Sequence, residues 1–269
     1  MIDNPSVRVI DCRFNLANPG AGQQAWEEGH IPGAVYAHLD NDLSGEKSTR
    51  SGRHPIPDKQ QLVAHFRDWG INNDTQIVAY DAMGGAMASR LWWLARWLGH
   101  ENVAVLDGGL PAWQSSGAEL DDDVPEYAQG SFEAAASLTS NIDVADLQEM
   151  LKQDSVVLID ARDAARFRGE KDEIDAVAGH VPGALNHFFM QSMTENGFFK
   201  TPVELRAGFD RYTKEPGRRK IVHMCGSGVT ACHNMLAMQH AGIATDLLYI
   251  GSWSEWIQDA NRPVARGDE

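Results

Sequence analysis

The sequence is poor in cysteine and in basic residues, and each shortage excludes a class of protein. Three cysteines in 269 residues are an odd number and too few for a disulfide framework, so we expect reduced thiols in a reducing compartment. There is no CxxC pair to indicate a zinc site. With 23 basic against 38 acidic residues and a formal charge of -15, we expect neither nucleic acid nor a membrane as a partner.

Long apolar runs are also missing. The tryptophan-rich segment LWWLARWLG is interrupted by Arg96 and is too short to span a bilayer, and no basic segment precedes an apolar one at the start of the chain. A hydrophobic content of 43% with 23% charged residues is typical of a globular protein, not of a disordered chain or a coiled coil. These features predict a cytoplasmic protein of two ordinary domains or one large one.

What the sequence does contain is an internal repeat. VRVIDCR at residues 7–13 returns as VVLIDAR at residues 156–162, and GHIPGAV at residues 29–35 returns as GHVPGAL at residues 179–185. Further on, QIVAYDAMGG aligns with KIVHMCGSGV, which pairs Asp81 with Cys225. Strands alternate with helices in both halves, so we predict an α/β fold of two tandem domains, each a mainly parallel sheet with helices on both faces.

The boundary between the halves is predicted from composition. Residues 115–131, SSGAELDDDVPEYAQGS, have no apolar period and are rich in acidic, Gly, Ser and Pro residues, as is typical of a surface linker. We therefore predict a first domain at residues 1–130 and a second at residues 131–269. The segment NIDVADLQEMLKQD predicts a capped helix before the first strand of the second half.

The cysteine of the second half ends an apolar run in KIVHMCGSGVT. TACHNMLAMQHAG has the apolar spacing of a helix with Gly242 as its stop, so Cys225 is predicted where a strand passes into a helix. At the carboxyl edge of a parallel sheet, such a junction is where ligands bind. Gly226 and Gly228 allow successive N–H groups to point inward, and the helix start adds positive potential. We expect the Cys225 thiolate to be the anion that this loop stabilises, with a pKa below the usual ~8.5.

Several chemistries compete for such a cysteine. A buried cysteine is often only a small hydrophobe. A cysteine-dependent phosphatase needs an arginine where this chain has Ala231, and a redox dithiol needs a resolving partner, whereas Cys232 is predicted to face the core. The remaining chemistry is a thiolate that carries one sulfur atom as a persulfide.

Tandem GHxPGA turns, a cysteine loop in the second half only and GSWSEW near the end make the chain resemble the two-domain rhodanese-like sulfurtransferases over essentially its whole length. The loop CGSGVT, residues 225–230, resembles the branch that uses 3-mercaptopyruvate. The resemblance implies a small anionic sulfur donor, a persulfide on Cys225, release of pyruvate, and cyanide or a cellular thiol, including a thiol protein, as acceptor. It implies no metal or organic cofactor. A thiosulfate sulfurtransferase and a persulfide carrier serving a partner protein stay open as alternatives.

The resemblance also implies roles for individual residues. Ser227 would form a proton-handling group with His54 and Asp40, which the first half would supply across a domain interface. Arg166 would bind the carboxylate of the donor. The loop residues that would line the substrate site are Gly226, Gly228, Val229 and Thr230.

Two departures from the family pattern stand out. Some relatives carry a second arginine shortly before the GHxPGA turn, where this chain offers only Lys171. Many relatives place an aspartate where this chain has Ile250. His30 and His180 recur in both halves, so we predict that they stabilise the turns. Asp81 cannot accept sulfur, which predicts a catalytically silent first half.

Overall fold

The computed structural model describes residues 4, 6–213, 219–245 and 247–268. The chain divides into two compact units. Unit 1 comprises Met1–Gly45, Ile56–Thr139 and Glu195–Phe198, and unit 2 comprises Glu46–Pro55, Ser140–Thr194 and Phe199–Glu269. Two short segments are therefore exchanged: Glu46–Pro55 lies in the first half of the sequence but belongs to unit 2, and Glu195–Phe198 lies in the second half but belongs to unit 1.

Unit 1 is built on a parallel sheet of four strands in the order β2-β1-β3-β4. The strands are β1 (Val7–Asp11), β2 (Val35–Tyr36), β3 (Gln76–Tyr80) and β4 (Val103–Val105). Parallel pairing needs crossover connections, and the helices of the unit are α1 (Ala21–Glu28), α2 (Lys59–Asp68), α3 (Ala88–Trp97) and α4 (Gly109–Ser115).

Unit 2 repeats this plan with one strand more, in the order β5-β9-β8-β6-β7, again all parallel. Its strands are β5 (Ser140–Ile142), β6 (Val156–Asp160), β7 (Leu185–Asn186), β8 (Lys220–Met224) and β9 (Leu247–Tyr249). Its helices are α5 (Val144–Lys152), α6 (Ala164–Arg168), α7 (Pro202–Thr213), α8 (Thr230–His240) and α9 (Ser252–Trp256), with a 3-10 turn at Phe189–Ser192. Among the residues that the structure describes, no helix has the length and apolar character needed to cross a membrane.

The sheet of unit 2 is buried on both faces, because alternate side chains of a strand point to opposite sides. Along β6, Leu158 joins a core cluster with Leu147, Phe167 and Trp253. Its neighbour Ile159 joins a second cluster with residues of α7 and α8, namely Leu205, Phe209 and Met238. The two clusters confirm the predicted sheet covered by helices on both faces.

The segment that composition marks as a linker folds onto unit 1. Asp121 and His30 exchange two backbone hydrogen bonds of 2.8 Å, and the Tyr127 hydroxyl donates to the carbonyl of Gly33 at 2.7 Å. The guanidinium of Arg8 lies 3.3 Å from the centre of the Tyr127 ring. No periodic pattern in the sequence predicts these long-range contacts. Unit 1 includes the whole segment and extends through Thr139.

The two GHxPGA turns are tied down in the same way in each unit. His30 Nδ1 lies 2.7 Å from the carbonyl oxygen of Trp26, and His180 Nδ1 lies 2.8 Å from that of Phe167. Each ring also stacks on the aromatic residue whose carbonyl it contacts. Both histidines are fully buried, and these contacts agree with the structural role that their recurrence predicts.

Candidate active site

Cys225 follows β8 directly, and four residues separate it from the start of α8 at Thr230. Its sulfur accepts hydrogen bonds from the backbone N–H groups of Gly228 at 3.2 Å and Ser227 at 3.5 Å. The loop therefore turns two amides toward the sulfur, as the glycine spacing predicts, and the first turn of α8 adds positive potential on the same side. Such an environment favours a negative charge on the sulfur.

Gly228 is the residue that makes this turn possible. Its φ is +75°, in the left-handed region that non-glycine residues avoid. A Cβ atom at this position would lie only 2.4 Å from the carbonyl oxygen of Ile250 and 2.9 Å from Ile250 Cγ1. Ile250 therefore packs against the back of the cysteine loop. This is the position where the family pattern has an aspartate, a difference that the sequence alone does not explain.

The backbone around Cys225 is held from the segment after β9. Ser252 accepts the Cys225 N–H on Oγ at 3.1 Å, and Trp253 N–H donates to the Cys225 carbonyl at 3.0 Å. Ser252 adopts a φ of +54°, a conformation rare for a residue with a side chain and common where a site imposes strain. These contacts explain why the GSWSEW motif accompanies the cysteine loop.

The exchanged segment of unit 2 brings His54 to the loop. His54 Nδ1 lies 2.7 Å from Ser227 Oγ, and both side chains are buried. The segment is packed closely here, since a Cβ on Gly52 would lie 2.4 Å from the carbonyl oxygen of Gly251. Asp40 lies in unit 1, where its backbone N–H donates to His38 Nδ1 at 3.1 Å. Its part in a proton-handling group stays a prediction.

Arg166 borders the loop as well. A Cβ on Gly226 would lie 3.5 Å from Arg166 Nη2 and 3.3 Å from Nη2 of Arg53. The second guanidinium at the loop therefore comes from Arg53 of the exchanged segment, not from the stretch before the GHxPGA turn, where Lys171 is exposed. Sequence reasoning singled out His54 and passed over Arg53 beside it. Its place in the same SGRHP motif was the available signal.

The last residues of the loop lead into α8, and the other two thiols of the chain are buried. Val229 is buried before α8, and Thr230 begins that helix. Cys232 is fully buried in α8, with its thiol 3.4 Å from the carbonyl of Gly228. Burial, with a smaller contribution from the neighbouring Asp11 carboxylate, raises the pKa of the Cys12 thiol well above its usual value. All three cysteines are free thiols, and of the three only Cys225 follows a strand in a loop of inward-pointing amides.

Unit 1 keeps the same loop with a carboxylate in place of the thiol. Asp81 follows β3 and is buried. Its Oδ1 accepts from the backbone N–H groups of Met83 and Gly85 at 2.7 and 2.9 Å, and its Oδ2 from those of Met87 and Ala88 at 2.7 and 2.9 Å. The side-chain carboxylate of Asp81 thus fills the amide cradle of unit 1.

The fold and this loop define the class: a tandem α/β protein with a cysteine in the amide cradle of unit 2 and an aspartate in that of unit 1. The chain belongs to the rhodanese-like domain family, whose model matches residues 1–116 and 143–259. This confirms the family and the fold that the motifs predict.

Three comparisons describe its relatives. The chain is 44% identical to a probable 3-mercaptopyruvate sulfurtransferase of Pseudomonas aeruginosa, across 99% of this chain and 95% of that protein. It is 33% identical to the thiosulfate sulfurtransferase of Rattus norvegicus, across 95% of this chain and 86% of that protein. Among solved structures, it matches the 3-mercaptopyruvate sulfotransferase SseA of Escherichia coli with a TM-score of 0.81 and 35% identity, across 94% of this chain and 95% of that one.

Proposed function

We propose that the protein is a 3-mercaptopyruvate sulfurtransferase that works through a persulfide on Cys225. The observation that carries the proposal is the loop CGSGVT itself, whose Ser227 and Gly228 amides donate to the Cys225 sulfur. The 44% identical relative from Pseudomonas aeruginosa, a probable 3-mercaptopyruvate sulfurtransferase, supports this donor over thiosulfate.

In the proposed first half-reaction, the Cys225 thiolate attacks the sulfur of 3-mercaptopyruvate. A new S–S bond forms, the C–S bond breaks, and its electron pair stays on carbon as the enolate of pyruvate. The thiol proton of the donor must leave its sulfur, and the enolate must gain a proton. Ser227 lies two residues after Cys225, and its hydroxyl is 2.7 Å from His54 Nδ1. The imidazole of His54 can accept and donate a proton, so this pair is proposed to carry out the two transfers.

In the proposed second half-reaction, cyanide or a thiolate attacks the outer sulfur of the persulfide. The S–S bond breaks and its electron pair returns to Cys225, which regenerates the thiolate. No external oxidant is needed, because the two electrons that the transferred sulfur loses stay on the donor carbon, which becomes the methyl group of pyruvate once the enolate is protonated. The amides of the cradle would stabilise the negative charge that the Cys225 sulfur bears when it attacks the donor and when it leaves the persulfide.

The decisive experiment measures pyruvate release from 3-mercaptopyruvate with cyanide as acceptor, and the mass of the protein after exposure to donor alone. We expect turnover and the addition of one sulfur atom in the natural protein, loss of both in Cys225→Ser, and retention of most activity in Cys12→Ser and Cys232→Ser. Loss of activity in Cys232→Ser would instead indicate dithiol chemistry. Higher kcat/KM with thiosulfate would favour the thiosulfate sulfurtransferase, and a stable persulfide without turnover of small acceptors would favour a carrier that serves a partner protein.

A further inference from the structure

The cysteine loop is bordered by two arginines that share one aspartate. Asp175 Oδ1 lies 2.8 Å from Arg53 Nη1, and Asp175 Oδ2 lies 2.6 Å from Arg166 Nη2. The Asp175 side chain is 2% exposed, against 23% for Arg53 and 15% for Arg166. A buried carboxylate therefore fixes the positions of two guanidinium groups that remain partly open to solvent.

Donor groups of this arginine pair are left for a ligand. Arg166 directs Nε to Asp172 at 3.2 Å and Nη2 to Asp175, and Arg53 directs only Nη1 to Asp175. Within the described ranges of the chain, Arg53 Nε is buried without a hydrogen-bond partner. Because Arg53 Nη2 and Arg166 Nη2 both approach the space beside Gly226, an anion could bind there next to Cys225 while Asp175 keeps both salt bridges.

The ion-pair network that holds the two arginines contains equal numbers of positive and negative side chains. The ion pairs that meet here are formed by three arginines and three aspartates, namely Arg53, Arg162, Arg166, Asp160, Asp172 and Asp175. The site thus offers a carboxylate well-directed N–H groups without a large net positive charge. A dianion gains twice as much as a monoanion from any net positive charge, so a neutral cluster gives it little advantage.

We propose that Arg53 and Arg166 together bind the carboxylate of the sulfur donor and that Asp175, by neutralising part of their charge, selects a singly charged carboxylate over doubly charged thiosulfate. This inference rests on the proposed function for the identity of the donor. Arg53 is the binding residue that it adds, and Asp175 is a positioning residue that acts through the two arginines.

The first test concerns Arg53. Arg53→Ala should raise KM for 3-mercaptopyruvate roughly tenfold or more, as expected when a charged hydrogen bond is lost, with kcat changed far less. Arg50→Ala is the matched control, because it removes the same charge from the same segment at an exposed position. Arg53→Lys separates charge from geometry and should restore KM only in part. Equal KM values in Arg53→Ala and Arg50→Ala, or a loss confined to kcat, would overturn the role of Arg53.

The second test concerns Asp175. Asp175→Asn keeps the size of the side chain and removes its charge, so it should raise the ratio of kcat/KM for thiosulfate to that for 3-mercaptopyruvate by roughly tenfold. A merely structural role would lower both values together and leave the ratio unchanged, which would refute the selectivity argument. Melting temperatures of the variants show whether each one is folded during the assay.

Failure of the proposed function is distinguishable from failure of this inference. If the natural protein releases no pyruvate from 3-mercaptopyruvate, the proposed function is wrong. The carboxylate site is then still tested by titrating pyruvate into Cys225→Ser protein, with and without Arg53→Ala. Weaker binding in the double variant supports the site, and unchanged binding rejects it.

Discussion

The carboxylate of Asp81 offers a sharp test of how the amide cradle of unit 1 is stabilised. Asp81→Asn replaces one oxygen with an NH2 group of nearly the same shape. The single side-chain oxygen of asparagine can still accept hydrogen bonds from two of the four backbone amides, but the NH2 group then faces the other two N–H donors. Two buried N–H groups therefore lose their acceptor.

The magnitude follows from the number of lost acceptors. A buried donor left without a partner costs about 1–3 kcal/mol, so the substitution should destabilise unit 1 by about 2–6 kcal/mol. For a domain of this size, that corresponds to a fall in Tm of roughly 10 °C or more. Calorimetry is the suitable assay, because two compact units need not unfold in one transition.

Asp74→Asn serves as the control, since Asp74 is exposed and lies shortly before β3 on the same unit. Its substitution should change stability by less than about 0.5 kcal/mol. A similarly small change for Asp81→Asn would refute the reasoning, because it would mean that the four amides do not depend on a charged acceptor.

Three further predictions concern unit 2. Gly228→Ala should destabilise the unit by about 2–4 kcal/mol through its positive φ and its contact with Ile250, and it should impair sulfur transfer. Gly226→Ala should retain the stability of the natural protein in urea unfolding, since the nearest atoms to its Cβ would be the guanidinium nitrogens of two arginines at 3.3 Å or more. Equal losses of stability in the two variants would contradict this account of the loop. His54→Ala should lower kcat with 3-mercaptopyruvate by roughly a hundredfold, and Ser227→Ala should have the same effect. The double variant should be barely slower than either single variant. If the two losses in steady-state kcat were instead additive in free energy, the result would argue against a shared proton path. Burial lowers the pKa of His187 to about 4 and that of His223 to about 3. Each therefore contributes stability that is complete above pH ~6.5 and is lost as pH falls toward these values, about 2 kcal/mol each at pH 5. His223→Leu should reduce the loss of stability seen in urea titrations between pH 7 and 5, and an unchanged pH dependence would show that His223 does not contribute.

The elements that the sequence predicts best are those fixed by local pattern. The capped helix of the second half is present as α5, where the Asp143 carboxylate accepts from the N–H of Asp146 at 2.8 Å. The predicted helix after the cysteine loop is α8, and Gly242 follows it with a φ of +67°. Capping residues and helix stops act within a few residues, so one chain segment contains the whole signal.

Features that depend on partners far away in the chain are harder to predict from the sequence. Strand β5, with the sequence SNI, has one buried residue and exists through its pairing with β9. Arg53 likewise has no sequence signal beyond its place next to His54 in the SGRHP motif. The contact that positions its guanidinium comes from Asp175, 122 residues away, and no periodicity connects the two.

The exchange of Glu46–Pro55 into unit 2 has a consequence for how such a chain can be inherited. A repeat copied end to end would give two halves that could be recombined freely with those of other chains. Here the first copy encodes His54 and Arg53, and the second copy encodes the cysteine loop that they contact. A crossover in the segment between the halves would give a second half that brings its own cysteine but takes its histidine and arginine from a foreign first half. Under the roles proposed for His54 and Arg53, selection on the chemistry of unit 2 acts on both copies of the repeat, and the first copy retains residues that serve the cysteine loop of the second.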